Sequence, residues 1–98
     1  MQSLKKTEIE ELIESLPSWV VDNNCLMKEF KFRNFVDAFS FMTAIALEAE
    51  KIDHHPNWSN VYNEVSINLN THSADGITEK DFILARKIEE TFSKYVGI

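Results

Sequence analysis

The segment from Phe35 to Ile52 constrains the fold most, because it carries apolar residues on two sides of a helix. Phe35, Ala38, Phe39, Met42, Ala46 and Ala49 share one face at helical spacing. Phe41, Ala44, Ile45 and Ile52 cover much of a second. A helix on the surface of a domain needs only one apolar face. This one is therefore sandwiched, either deep in a core or between subunits, and in a chain of 98 residues the interface is the favoured reading. Asn34 stands at the N-cap position. Asp37, Glu48, Glu50 and Lys51 interrupt the apolar run, and crossing a bilayer takes about 20 mostly apolar residues, so this is not a membrane helix.

The remaining pattern alternates helix and strand signals. Thr7, with Glu10 three residues on, makes a capping box ahead of the stripe Ile9, Leu12, Ile13 and Leu16, and Pro17 ends that helix. In "WVVDNNCLMKEFKF", β-prone flanks surround Asn23-Asn24, a pair that tolerates left-handed turn geometry, so the stretch reads as a hairpin. Met27 within it reads as packing. Val65, Ile67 and Leu69 alternate with Ser66, Asn68 and Asn70, the period of a half-buried strand. Val61-Tyr62 is either a short partner strand, with a turn at Asn63-Glu64, or the start of one uninterrupted strand. Thr78 to Asp81 is a second capping-box pattern, opening a helix with Leu84, Ala85, Ile88, Phe92 and Tyr95 or Val96 inward. The order is α-β-β-α-β-β-α. Hairpins build an antiparallel sheet whose apolar face must be covered by the helices. The expectation is a single two-layer α+β domain over residues 1–98, four strands with helices on one face.

Composition removes whole classes of function. A net charge of −6, with Arg33 and Arg86 the sole arginines, argues against direct binding of nucleic acid, which needs basic side chains to neutralise phosphates. Gly76 and Gly97 are the only glycines. Dinucleotide fingerprints and P-loops need several glycines within one turn, so both are excluded. The single cysteine, Cys25, cannot form an internal disulfide. With an acidic N-terminal stretch, "MQSLKKTEIEELIE", where an export signal would be apolar, a cytoplasmic location is expected.

Three histidines remain: His54 and His55 in "EKIDHHPNW", and His72. Adjacent residues in extended backbone point their side chains to different sides, and Pro56 pushes His55 away from helical geometry. His54–Ser59 reads as a loop, and His72 as the end of a strand, on the polar side. Imidazole, with an ordinary pKa of about 6.5, donates or accepts protons near neutrality. Two of them around one substrate would supply an acid and a base, with Glu50 and Asp81 the carboxylates able to orient a ring. The bland reading stays open beside this one: exposed histidines, a solvated Glu50, and an Asp81 that merely caps a helix. Zinc is disfavoured, since adjacent histidines are awkward ligands and no zinc spacing is present. No serine lies in a nucleophile elbow.

From Glu50 to His72 the chain reads E-x-x-x-H-H-P-x-W-x-x-V-Y-N-x-V-x-I-x-L-x-T-H, a pattern that closely resembles the pterin-4a-carbinolamine dehydratase family, also known as the dimerisation cofactor of a homeodomain transcription factor. "FKFRNFVDAFSFMTAIALEAEKIDHHP" before it and "THSADGITEKDFILARKIE" after it extend the likeness, with Gly76 and Asp81 in place. The first helix and hairpin match loosely, through Leu16 and Trp19. The resemblance implies dehydration of 4a-hydroxytetrahydropterin to the quinonoid dihydropterin, in support of aromatic amino-acid hydroxylases that use tetrahydrobiopterin. It implies no cofactor and no metal, the pterin being the substrate. His54 and His72 would be the acid–base pair, and His55 would help bind the pterin. Asp81 would support a histidine, Glu50 would organise the site, and Pro56 and Trp58 would shape the loop. Relatives form homotetramers as dimers of dimers, with the central helix in the contacts. The alternative implied function is a protein-binding module, a transcriptional coactivator or assembly factor without turnover, which would place the chain in the nucleus as well.

Overall fold

The centre of the fold is the alternating strand. In the computed structural model, which describes residues 2–95, β4 (Glu64–Leu69) buries Val65, Ile67 and Leu69. It lies between β2 (Cys25–Lys31) and the edge strand β3 (Asn57–Val61), and β1 (Val20–Asp22) forms the other edge. All three pairings are antiparallel. Leu69, Ile67 and Val65 face Leu26, Lys28 and Phe30 across the β2–β4 ladder, so these residues share the inner face of the sheet.

Three helices cover that face: α1 (Lys6–Ile13), α2 (Phe35–Lys51) and α3 (Glu79–Phe92). The result is the expected α-β-β-α-β-β-α order in an α+β fold. Phe30, Phe32, Phe41 and Phe92 form a ring cluster between sheet and helices, with centroids 4.8–6.0 Å apart. Tilted and edge-on ring pairs of this kind add packing energy beyond area alone. No helix of the described residues is long and apolar enough to cross a membrane.

A charge is built into this apolar layer. The Lys28 ammonium donates to Glu89 Oε2 at 2.7 Å and to the Pro17 carbonyl at 2.8 Å, and lies 4.8 Å from the Phe30 ring centroid. Trp19 Nε1 donates to the same Glu89 oxygen at 2.9 Å. The cluster ties the residues after α1 to β2 and α3, and every buried polar group in it has a partner, as burial requires.

Several boundaries differ from expectation. The first helix starts at Lys6, not after Thr7, because Glu8 reaches back to the Lys5 backbone N–H at 2.9 Å. Leu4, just before it, is pinned to Ile77 by a backbone bond of 2.7 Å. The second hairpin turns at Tyr62-Asn63 rather than Asn63-Glu64, with Tyr62 left-handed at φ 50°. Asn63 cannot move from there, since its side chain and backbone both bond Phe32. The first hairpin turns at Asn23-Asn24 as read, both residues left-handed at φ 50° and 61°. Val96 lies outside the described residues, and Tyr95 follows the end of α3, its hydroxyl 2.7 Å from Ser40 Oγ.

The apolar faces of α2 are also redrawn. Its buried residues are Ala38, Phe41, Ile45 and Ala49, a mixture of the two expected faces. Phe35, Val36, Phe39 and Leu47 are exposed. The helix has rolled so that its bulky Phe41 and Ile45 enter the core, leaving a second apolar stripe on the surface.

Candidate active site

The end of α2 aims the first histidine. Ile52 is the C-cap, and Asp53 follows in left-handed geometry at φ 50°. Asp53 N–H bonds the Glu50 carbonyl at 3.2 Å, and His54 N–H bonds the Ala49 carbonyl at 3.0 Å. This is the Schellman pattern, which satisfies two of the helix's last carbonyls and reverses the chain. Aspartate tolerates the left-handed conformation better than most residues. The reversal buries His54, and Nε2 of its ring lies 2.5 Å from Oδ1 of Asp81.

Asp81 is fully buried at the third position of α3, where its Oδ2 accepts the Thr78 N–H at 2.8 Å and completes the capping box. That oxygen also accepts from the Thr71 hydroxyl at 2.9 Å. Capping and histidine contact are therefore not alternatives: one carboxylate oxygen caps, the other meets His54. A carboxylate offers no proton, so Nε2 of a neutral His54 ring is the donor and Nδ1 the acceptor, while in the imidazolium both nitrogens donate.

His55 turns elsewhere. Its Nε2 lies 2.7 Å from Glu50 Oε1, and both side chains are exposed. Glu50 thus stands beside His55 rather than His54. His72 is not the last residue of a strand: β4 ends at Leu69, and His72 opens a short 3-10 turn, His72–Ala74, exposed at the surface. The turn is closed by Thr71 and Gly76, which form an isolated antiparallel bridge, and by Asp75, left-handed at φ 53°. A Cβ at Gly76 would come within 3.0 Å of Ser3 Cβ and 3.3 Å of Asn24 Nδ2, which explains the glycine there. Asn24 Nδ2 also bonds the Asp75 carbonyl at 3.0 Å, so the β1–β2 turn braces the segment carrying His72.

The expected loop His54–Ser59 is shorter than read. Trp58 belongs to β3 and pairs with Ile67 on the inner face, packing against the core. Pro56 stands just before that strand and is half-buried. The run Asn57–Val61 has little apolar alternation of its own, and pairing with β4 is what makes it a strand.

Sequence reasoning gave Thr78 only a capping role and Thr71 none; both are buried, their hydroxyls 2.7 Å apart. Thr71 sits beside His72 in the quoted motif, and that adjacency was the one available signal. Cys25 is also close: burial raises its thiol pKa, the charges of Asp81 and then Asp22 raise it further, and a bond with the Asn70 side chain pulls the other way. Among the described residues no three His, Cys, Asp or Glu side chains gather where a metal ion could sit. A groove of about 400 Å³ lined by Glu29, Ser59 and Ser66, and one of about 410 Å³ beside Phe39, contain no histidine.

A family model described as pterin 4 alpha carbinolamine dehydratase matches residues 2–91. A Prochlorococcus marinus (strain NATL2A) protein provisionally named pterin-4-alpha-carbinolamine dehydratase is 52% identical over 89% of this chain and 92% of its own length. A Christiangramia forsetii protein with the same provisional name is 49% identical over 92% of this chain and 93% of its own. A crystal structure described as a transcriptional coactivator/pterin dehydratase from Brucella melitensis superposes with a TM-score of 0.90 at 41% identity, covering 92% of this chain and 98% of that one.

Proposed function

This chain belongs to the pterin 4 alpha carbinolamine dehydratase family, and on that premise we propose that it removes water from 4a-hydroxytetrahydropterin by histidine acid–base catalysis. In this reaction the C4a–O bond breaks as N5 gives up its proton, a C4a=N5 double bond forms, and water and the quinonoid dihydropterin leave. No oxidation state changes, so the chemistry asks only for one proton donated to the leaving hydroxyl and one accepted from N5. We assign these transfers to His54 and His72, with no cofactor required. His55, exposed and paired with Glu50, is assigned to pterin binding.

The observation that carries this reading is the buried His54–Asp81 pair within the family match. An isolated imidazole can titrate anywhere on a surface, whereas a buried carboxylate at hydrogen-bond distance fixes which ring nitrogen bears the proton and stabilises the imidazolium. A positioned general acid or base contributes about 10²–10⁴-fold. The proposed setting is recycling of tetrahydrobiopterin for aromatic amino-acid hydroxylases, in the cytoplasm. We also assign the stripe Phe35, Val36, Phe39 and Leu47 to self-association, in a tetramer built as a dimer of dimers.

The test is a coupled hydroxylase assay that follows loss of the 4a-hydroxy intermediate by ultraviolet absorbance. Wild-type protein should accelerate it, and His54→Ala or His72→Ala should remove most of the acceleration with circular dichroism unchanged. Decay no faster than in buffer alone would overturn the dehydratase reading. Full activity in both alanine variants would overturn the residue assignment.

A further inference from the structure

We propose that Thr71 is a positioning residue that orients Asp81 toward His54 and, through it, sets the proton affinity of the His54 ring. The geometry is a one-way chain of donors. Oδ2 of Asp81 accepts from the Thr71 hydroxyl at 2.9 Å, so the single Thr71 proton is committed there. Thr71 Oγ1 and Thr78 Oγ1 lie 2.7 Å apart, so Thr78 must be the donor in that pair. Thr78 Oγ1 in turn accepts from the Lys80 N–H at 3.2 Å. All three of Thr71, Thr78 and Asp81 are buried, where an unpaired group is costly and a fully paired one is held rigid.

Helix capping does not account for this arrangement. A capping box needs one carboxylate oxygen and one hydroxyl, which Asp81 Oδ2 and the Thr78 side chain already supply. Thr71 belongs to neither role. It comes from the segment after β4, and its hydroxyl joins the Thr78 N–H on Oδ2. With two donors on one oxygen, the carboxylate plane is fixed and Oδ1 is left for His54. Each donor also spreads the carboxylate's charge, so removing one concentrates that charge toward the imidazole. The groups facing Asp81 are His54 from the turn after α2, Thr71, Thr78 at the start of α3, and, within Coulombic reach, Cys25 at the start of β2.

The catalytic half of the proposal rests on the dehydratase reading, and the structural half does not. The experiment is a pH titration of the imidazole-¹⁵N-labelled full chain by long-range proton–nitrogen NMR, in wild type, Thr71→Val and Thr71→Ser. The wild-type His54 ring should carry its proton on Nε2. In Thr71→Val the His54 midpoint should move upward by about half a pH unit or more, while Thr71→Ser stays with wild type. His55, paired with exposed Glu50, should not move and serves as the control. Should Thr71→Val fail to fold, Thr71→Cys takes its place, similar in size but a far weaker donor. In the turnover assay the same variant should lose about 10-fold in kcat with KM little changed, and serine should restore it. An unshifted or lowered His54 midpoint in the variant overturns the proposal. A shifted midpoint in a protein whose wild type has no turnover supports the Thr71–Asp81–His54 relation and overturns the dehydratase reading alone.

Discussion

Nε2 of His54 and Oδ1 of Asp81 lie 2.5 Å apart, although the two residues are 27 positions apart in the chain. Asp81 thereby holds together the start of α3, the turn after α2 and the segment leading to His72. Replacing it by alanine strands the Thr78 N–H, the Thr71 hydroxyl and the His54 ring in a buried place. Asp81→Ala should therefore lose about 3–5 kcal/mol of stability in urea denaturation. Asp81→Asn, which keeps an acceptor for the cap, should lose less stability but still forfeit about 10²-fold in turnover. Equal stability loss in both variants would contradict the double role given to this carboxylate.

The Lys28–Glu89 pair offers a separate test of the core. Its side chains are 11% and 18% exposed, so the charges are largely removed from water. Lys28→Met leaves Glu89 with only the Trp19 N–H, and about 3 kcal/mol should be lost. Adding Glu89→Gln removes the orphaned charge while keeping an acceptor for Trp19, so the double variant should be more stable than Lys28→Met alone. Thermal melts of the two single variants and the double variant decide this.

Cys25 should be a slow nucleophile. Burial, then the negative charges of Asp81 and Asp22, hold its thiol pKa above the ordinary value. A raised thiol pKa leaves less thiolate at neutral pH, so iodoacetamide should modify Cys25 more slowly than a model thiol at pH 7.5. The rate should climb only at higher pH than for the model compound. Asp81→Asn removes the carboxylate with the stronger effect on the thiol and should move that rise to lower pH. An unchanged profile in Asp81→Asn would separate Cys25 from the site.

The exposed stripe on α2 makes the fourth test. Phe39 is 54% exposed and stacks beside Phe35 with ring centroids 5.6 Å apart. Phe39→Asp adds a charge to that surface without touching the core. Sedimentation velocity should show a mass several times that of the chain for wild type and a smaller species for the variant, with unchanged circular dichroism. A monomeric wild type would remove the self-association reading.

Much of this molecule was legible before any coordinates. The β4 alternation, the asparagine-pair hairpin and the Thr78–Asp81 box are local signals, each set by the geometry of a few consecutive residues, and all three hold in the fold. The family motif from Glu50 to His72 was legible for the same reason, since it is contiguous. Boundaries were less so: Leu4, ahead of the first helix, is held by distant Ile77, and β3 exists because β4 offers it a ladder. Neither dependence is written in neighbouring residues.

The amino-acid order by itself determined which elements form, that a surplus of apolar helix surface exists, and that His54 and His55 must face different ways. Period and steric alternation are properties of the local chain. Only the tertiary structure decided which face of α2 entered the core, that His54 meets Asp81 while His55 meets Glu50, and that Thr71 and Thr78 converge on one carboxylate. Those contacts arise from packing between segments distant in sequence. There the burial of Phe41 and Ile45 and the satisfaction of buried polar groups select one arrangement from many that the local pattern allows.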